Sequence, residues 1–489
     1  MRKLFMGARL RTLREQRQLT QAALAEQLGI SASYLNQIEN NERPLSSQVV
    51  WRMQSRLGID PEFFSGEEEA RLLAQLRDVT TDLAVDVPKA EVQAFVQQMP
   101  NLAELVTRLH GRYRSTEEQN MNLLSRNENR DYGVGFAQPH EEVRDFFYAR
   151  HNYVEELDLH AEALHERLLG GGRTSQPSHK QSSGQHRAPG ASELVPALVA
   201  YLQERYGVQV QIQRAEGHDG PREYNPQTKV LRIDASIEPG QQAFQIANQL
   251  AHLEVSRQIA GIVKQGNFSG EAARQLTVIG LASYFAGALL LPYARFLASA
   301  ERLKYDIDLL SREFGVSYET ICHRLSTLQR QEARGVPFFF VRVDRAGNVS
   351  KRQSATDFHF SRAGGTCPLW AVYEAFSRPG HTLTQMAVMP DGRTSLWIAR
   401  CVTHRQGGFG TPERTFAIGL GCDLRHAQRL VYAQGINLED LQVAVPIGPG
   451  CKVCKRNDCR QRAFPALDQS LRIDQNKRQW EPYPMESGV

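Results

Sequence analysis

The chain reads as multidomain: an all-α helix-turn-helix unit and a helical connector, followed by two α+β units. Three observations predict this. First, 489 residues are too many for one hydrophobic core. Second, apolar residues recur at helical spacing up to about residue 169, whereas after residue 192 helical and alternating stretches mix. Third, residues 170–191, GGGRTSQPSHKQSSGQHRAPGA, hold almost no large apolar side chain. Such a stretch is expected to be a flexible linker between two halves that move relative to each other.

Residues 20–44, TQAALAEQLGISASYLNQIENNERP, carry the first unit's signature. Thr20 is a good N-cap for a short amphipathic helix beginning at Gln21. Gly29 ends that helix, because the turn favours a positive φ that glycine adopts without a Cβ clash. Ser31 caps a second helix, Ala32 to Glu39, whose outward face carries Ser33, Asn36 and Gln37. A slim face rich in hydrogen-bonding groups suits the reading of base edges in a major groove. Gln21 and Ser31 are candidates for phosphate or edge contacts, and Ser33, Tyr34, Asn36 and Gln37 for base readout. Asn40 completes the DNA-facing set, and Arg43 is expected on the phosphate backbone. Arg2, Lys3, Arg9, Arg11, Arg14 and Arg17 crowd the amino-terminal end and offer positive charge to phosphates, or simply a solvated helix face.

Composition is that of an ordinary soluble chain, and a formal net charge of +4 says little by itself. Met1 to Arg14 carries charges throughout and lacks the apolar core of a secretory signal. The longest apolar run, Val278 to Leu291, includes Ser283 and Tyr284 and fits a buried helix better than a membrane span. Seven cysteines, three clustered near the end, do not resemble a disulfide framework. A cytoplasmic protein without membrane contact is expected.

In order along the chain, residues 1–66 form the helix-turn-helix unit, with Pro61-Glu62-Phe63-Phe64 packing its last helix. Residues 67–169 are a helical connector punctuated by Pro88 and Pro100. It is either a plain spacer or the dimer contact. Its final part, Glu141 to Leu169, reads as one long amphipathic stretch. After the linker, residues 192–335 open with a helix from Leu194 to Tyr206 and strand-like Val208 to Ile212. A polar turn precedes a second strand, Lys229 to Asp234. Gln241 to Gly261 and Ala272 to Leu291 are helices, and Phe314 to Leu328 closes the unit as a pair with the look of a second small helix-turn-helix, read in preference as two core helices. Residues 336–470 begin with the strand-like Pro337 to Val343; further strands are expected at Leu383–Val388, Ser395–Val402, Arg414–Leu420 and Val443–Ile447. Residues 471–489 are a tail.

Two clusters in the last unit could carry chemistry. Cys451, Cys454 and Cys459 have the C-x2-C-x4-C spacing of metal ligands and could hold a structural zinc. Cys422, Cys401, His404 or His426 could supply a fourth ligand. The neighbouring Lys452, Lys455, Arg456, Arg460 and Arg462 leave a phosphate or nucleotide contact open as well, and a purely local structural role is the third reading. Arg362 to Trp370 is the other cluster: its Gly364-Gly365 pair permits close backbone approach and Trp370 offers an aromatic wall, or the stretch is simply a turn and a buried tryptophan.

The first 65 or so residues resemble the XRE or Cro-type repressor fold. Phe244 to His252 and Ala282 to Tyr293 resemble the metallopeptidase-like domain of ImmA and IrrE proteins. An active member would carry H-E-x-x-H on the first of these helices, two histidines for zinc and a glutamate to activate water. This chain has Asn248, Gln249 and His252 in those places, and Ile279-Gly280-Leu281 where a third, glutamate ligand is expected. An amide cannot take a proton from water at neutral pH, so the fold is read as kept for binding and stripped of hydrolysis. The vacated pocket would suit a small ligand facing His252.

The whole arrangement resembles the short-chain fatty acyl-CoA regulator family. The pieces that carry the likeness are SASYLNQIENNERP, Ala282 to Tyr293, Gly365-Thr366-Cys367-Pro368-Leu369-Trp370, and the tail from Cys451 to Arg462-Ala463-Phe464-Pro465. Membership implies a transcription factor, not an enzyme, that senses acyl-CoA esters such as propionyl-CoA or acetyl-CoA and controls genes for the matching acids. It would bind a double-stranded operator as a homodimer or higher oligomer, with His252, Trp370 and Arg462 as candidate ligand contacts. No cofactor is otherwise implied. The rival is a zinc-dependent peptidase fused to a DNA-binding domain and cleaving a repressor partner.

Overall fold

The computed structural model describes residues 7–17, 19–40, 42–57, 67–83, 85, 87–126, 139–170, 190–214, 220–355, 367–404, 410–411, 413–466, 471–473, 476–477 and 480–483. They fall into two compact units, Met1–Arg130 and Asp131–Val489. Pro61 to Phe64, most of the 170–191 stretch, and Arg362 to Thr366 lie outside the described residues.

In the first unit, α1 (Gly7–Gln16), α2 (Gln21–Leu28), α3 (Ala32–Glu39) and α4 (Ser47–Leu57) converge on one small core. Leu10, Leu24, Leu28, Leu35, Ile38 and Met53 are completely buried in it. The start of α1 runs so close to the end of α3 that a Cβ on Gly7 would sit 2.2 Å from the Ile38 carbonyl oxygen, which explains the glycine. A second cluster joins α5 (Glu67–Asp82), α6 (Lys89–Gln98) and α7 (Pro100–Arg126) through Leu72, Leu76, Val92, Val96 and Ala103. Pro88 caps α6 and Pro100 opens α7, the positions where a missing backbone N–H costs nothing. Along α7, Leu102, Leu105, Leu109 and Tyr113 form an exposed apolar stripe.

The second unit begins earlier than the sequence suggests. Glu141 to Leu169 is not one stretch: α8 (Pro139–Tyr148) and α9 (Glu155–Gly170) are separated where His151 and Asn152 take positive φ. Both helices belong to the distal core. Phe146, Phe147, Leu157, Ala161 and Leu164 pack into it, and Asp158 on α9 makes a buried two-oxygen contact with Arg324 at 2.8 and 2.9 Å. The expected boundary at 170–191 therefore moves. The compact units part between Arg130 and Asp131, because α8 and α9 bury their apolar faces against helices later in the chain.

Beyond α10 (Ala191–Tyr206) comes a small sheet of β1 (Gln209–Gln213), β2 (Arg222–Asn225) and β3 (Val230–Asp234) in the order β1-β3-β2. Strand β2 occupies the place read as a polar turn. Helices α11 (Pro239–Glu254), α12 (Ser256–Lys264), α13 (Glu271–Leu290) and α14 (Tyr293–Arg302) come next. Helix α13, long and apolar enough to span a bilayer by composition, buries Leu281, Ala282, Phe285, Ala286, Ala288 and Leu289 in the core. α15 (Ile307–Phe314) and α16 (Tyr318–Leu325) repeat the cap-and-glycine pattern of α2 and α3, but Tyr318, Ile321, Cys322, Arg324 and Leu325 of α16 are buried. They are core helices.

The last part is a six-stranded sheet of β4 (Phe338–Val343), β5 (Val349–Ser354), β6 (Thr382–Val388), β7 (Thr394–His404), β8 (Arg414–Asp423) and β9 (Val445–Pro446), with a single turn of helix, α17 (Ala371–Glu374), after β5. Its order is β5-β4-β8-β7-β6-β9, antiparallel except for β6 and β9. Period-two alternation sorts its two faces. Phe338, Phe340, Ile398, Ile418 and Leu420 join the helical core, while Phe339, Val341, Trp397, Ala399 and Ala417 face a second core closed by Trp370 and Val372. The two expected α+β units thus share one hydrophobic interior.

Candidate DNA interface and receptor site

The reader is assembled as its local chemistry demands. The Thr20 hydroxyl accepts from the Ala23 N–H at 3.2 Å and the Ser31 hydroxyl from the Tyr34 N–H at 3.1 Å, capping α2 and α3. Gly29 turns between them at φ 63°. Ser33, Asn36 and Asn40 are exposed, and Gln21, Tyr34 and Gln37 half-buried. The Gln21 amide donates to the Asn36 side-chain oxygen at 3.3 Å, which also accepts from Asn40 at 3.2 Å. Arg43 is exposed, with its guanidinium 5.8 Å from the Tyr34 ring centre.

A residue that no sequence motif singles out holds this face in place. Glu39 is buried at the end of α3. Its carboxylate accepts from Arg14 on α1 at 2.7 and 3.2 Å and from Gln21 on α2 at 2.7 Å. Three helices meet on one charge. Arg14 is thereby committed to Glu39, and Arg11 donates to Asn40 at 2.7 Å. Of the basic residues offered to phosphate, Arg14 is structural instead. Arg2 and Lys3 lie outside the described residues, as does the side chain of Arg9.

In the distal unit, α11 presents Asn248, Gln249 and His252 on one face, the places of the peptidase triad. The Asn248 oxygen accepts from the Arg222 guanidinium on β2 at 2.6 Å, and its N–H donates to the Ser283 hydroxyl on α13 at 3.0 Å. Burial, and then the positive Arg222, lower the pKa of His252. A guanidinium bound to the first ligand position, an amide in place of the base and one imidazole do not fit a zinc ion. The described residues in these places supply neither the zinc ligands nor the base of the peptidase alternative.

The cysteine cluster departs from expectation in two ways. Cys451, Cys454 and Cys459 line one recess with Cys367 and Arg456, so the fourth thiol comes from the other singled-out cluster and not from Cys401, Cys422, His404 or His426. Cys401 and Cys422 are buried on opposite faces of the sheet. Among the described residues, however, no three His, Cys, Asp or Glu side chains are grouped as a metal ion requires. Burial pushes the Cys367 and Cys454 thiols up, and the Cys451 sulfur accepts from the Ala463 N–H at 3.4 Å. The zinc expectation is not supported.

The other two expected ligand contacts, Trp370 and Arg462, are buried. Trp370 is 2% exposed, with its ring 4.7 Å from that of Trp397, and serves the second core. Arg462 is 4% exposed and donates to the carbonyl oxygens of Cys451, Cys454 and Arg456, stapling the cysteine loop. His252 is half-buried one turn from Asn248, whose partner Arg222 had no motif to flag it.

Comparison with known proteins agrees with this architecture. Residues 10–64 match a helix-turn-helix family model, residues 203–326 the IrrE N-terminal-like domain, and residues 327–483 the short-chain fatty acyl coenzyme A regulator, C-terminal. The chain is 47% identical to the HTH-type transcriptional regulator RamB of Mycobacterium tuberculosis (strain CDC 1551 / Oshkosh), over 99% of both chains. Identity to the HTH-type transcriptional regulator PrpR of Mycobacterium tuberculosis (strain ATCC 25618 / H37Rv) is 45%, over 98% of this chain and 95% of that one. A propionyl-CoA carboxylase regulator of Cereibacter sphaeroides is 40% identical over 98% of each. A solved structure of a Mycobacterium tuberculosis transcriptional regulator is 48% identical, with a TM-score of 0.65, and covers 71% of this chain and 100% of that chain.

Proposed function

The chain belongs to the short-chain fatty acyl-CoA regulator family, and from that premise we propose that it is a sequence-specific DNA-binding transcriptional regulator whose distal unit senses a short-chain acyl-CoA. It controls genes of short-chain acid metabolism and catalyses no reaction. The observation that carries the reading is α3: capped by Ser31, buttressed through Glu39, and presenting Ser33 and Asn36 to solvent. A helix fixed to this degree by its own domain and polar on its outer face is what a major groove accepts.

Ser33, Tyr34, Asn36 and Gln37 read bases. Gln21, Ser31, Asn40 and Arg43 meet phosphates or groove edges. Because one α3 spans only eight residues, operator selectivity calls for two copies in successive major grooves, and the α7 stripe of Leu102, Leu105, Leu109 and Tyr113 is suited to hold them. The work is cytoplasmic. An acyl-CoA shifts the regulator only as far as it prefers one DNA-binding geometry over another.

The test is promoter-fragment binding by the full chain at moderate ionic strength, with acetyl-CoA, propionyl-CoA or free CoA present or absent. Selective binding that one ester alters is the expected result. Equal affinity for a promoter and for random duplex, with every ester, overturns the proposal.

A further inference from the structure

A side-chain amide has two unlike ends, an oxygen that accepts and an NH2 that donates. Which end faces a groove decides which base the residue prefers. On the reader the protein makes that choice for Asn36. Five side chains form one run of hydrogen bonds: Glu39, Gln21, Asn36, Asn40 and Arg11. Its two ends have fixed polarity. The Glu39 carboxylate only accepts, so the Gln21 group 2.7 Å from it is the NH2. The Arg11 guanidinium only donates, so the Asn40 atom 2.7 Å from it is the oxygen.

Both amides therefore turn nitrogen towards Asn36. The Gln21 Nε2 donates to the Asn36 Oδ1 at 3.3 Å and the Asn40 Nδ2 donates to the same oxygen at 3.2 Å. An amide oxygen has two lone pairs, and both are taken. Turning the Asn36 amide over would set its N–H groups against two other N–H groups, so its orientation is fixed by its neighbours. What Asn36 has left is its NH2, on an exposed side chain. Among the described residues no protein group accepts from that NH2. Gln21 has given both N–H groups, to Glu39 and to Asn36, so its side chain suits a groove edge and not a phosphate.

We infer that Arg11, Gln21 and Asn40 are positioning residues that present Asn36 to the major groove as a donor only, and that Asn36 thereby selects guanine. Guanine offers two acceptors there, N7 and O6, and matches two N–H donors. The usual pairing of asparagine with adenine uses N7 and N6 together and needs the oxygen that is occupied here. Cytosine meets the NH2 with another donor, and thymine offers one acceptor beside a methyl group. The inference rests on the DNA-reading proposal and adds the base that one side chain reads.

The experiment is selection of binding sites from a randomised duplex pool by the full chain, by Asn36→Ala, and by Gln21→Ala combined with Asn40→Ala. The position whose preference Asn36→Ala relaxes is the one Asn36 reads, and it should be a G·C pair. Replacing that guanine with 7-deazaguanine, which has a C–H in place of N7, needs no altered protein. It should weaken binding by the unaltered chain roughly two- to tenfold, the range for a lost neutral hydrogen bond, and leave Asn36→Ala indifferent. In the double variant the amide can turn over, so adenine should join guanine at that position alone. A network that only holds the fold would weaken every sequence alike, and strict guanine selection by the double variant overturns the positioning roles. An A·T pair at the Asn36 position, a 7-deaza change without effect, or an Asn36→Ala that relaxes no position overturns the donor-only assignment and leaves the DNA reader intact. If the unaltered chain enriches no sequence, the DNA reading itself falls and this inference falls with it.

Discussion

Replacing Glu39 with alanine tests how the reader is held. Its carboxylate side chain is wholly buried and accepts two hydrogen bonds from Arg14 and one from Gln21, all between 2.7 and 3.2 Å. Removing one partner of a buried pair costs about 3–5 kcal/mol, because the other charge is left uncompensated. The Arg14 side chain is 13% exposed and can recover some water, which favours the lower end, about 3 kcal/mol. That is a large fraction of what a domain of this size possesses. For such a domain each kcal/mol moves the melting point by about 4–8 °C, so the first unit should melt roughly 12–24 °C lower. Scanning calorimetry reads that transition, and amide exchange across α2 and α3 should accelerate with it. Glu39→Gln, which keeps one acceptor oxygen, should lose less. A Glu39→Ala transition less than about 1 kcal/mol below that of the unaltered chain refutes the idea that Glu39 ties the three helices together.

Other consequences arise from the same geometry. Replacing Asn36 and Gln37 with alanine should relax operator preference, each lost base contact being worth about 1–3 kcal/mol, and retained selectivity in a gel-shift series contradicts the assignment. Burial, and then the nearby Lys351, Arg324 and Arg342, depress the pKa of His323 to about 3. This imidazole is neutral in the folded chain but binds a proton once unfolded below about 6.5. Its contribution is therefore complete above that value and is lost as pH falls towards 3, by up to about 1.4 kcal/mol per pH unit. Denaturant titrations of His323→Gln should show a flatter acid limb than the unaltered chain, and identical limbs remove His323 from the acid response.

How much of this could be read in the sequence depends on the distance over which each feature is encoded. The caps at Thr20 and Ser31 bond to amides three residues away and the turn is one glycine, so α2 and α3 are visible locally. Glu39 is not, because its partners lie on other helices and a charged residue at a helix end looks like surface. Asp158 and Arg324 are 166 residues apart, which is why α9 reads as connector in the sequence. Strand β2, Arg222 to Asn225, is polar, short and half-exposed, and so resembles a turn. Its arginine acquires meaning only beside Asn248. Trp370 and Arg462 have the chemistry of ligand contacts, yet tertiary packing commits Trp370 to a core, the other role its sequence allows, and Arg462 to a loop. For Cys367 the signal is present as a thiol in a dense cluster, but nothing in spacing joins it to Cys451, Cys454 and Cys459.

The placement of α9 changes which covalent break should disconnect receptor from reader. Helix α9 lies ahead of residues 170–191, yet Leu157, Ala161 and Leu164 are fully buried in the distal core and Asp158 bonds Arg324 on α16. The two leucines contribute several kcal/mol at about 1.5–3 kcal/mol for each fully buried one, before Ala161 and the contacts of Glu162 with the Ala294 N–H and of His160 with Glu254 are counted. A protease site inserted at 171–189 should therefore yield two fragments that stay together on gel filtration. The first of them would retain the reader with α8 and α9 docked in the receptor. A site inserted at 127–138 should instead cut the covalent path between the two compact units. Asp158→Asn combined with Leu157→Ala and Leu164→Ala should make the first cut behave like the second, since it removes the apolar grip and the charge together. If the fragments separate after cleavage at 171–189 in the unaltered chain, α9 is a tether and not a part of the receptor. Ligand signals would then have to cross the stretch that the sequence first suggests as a hinge.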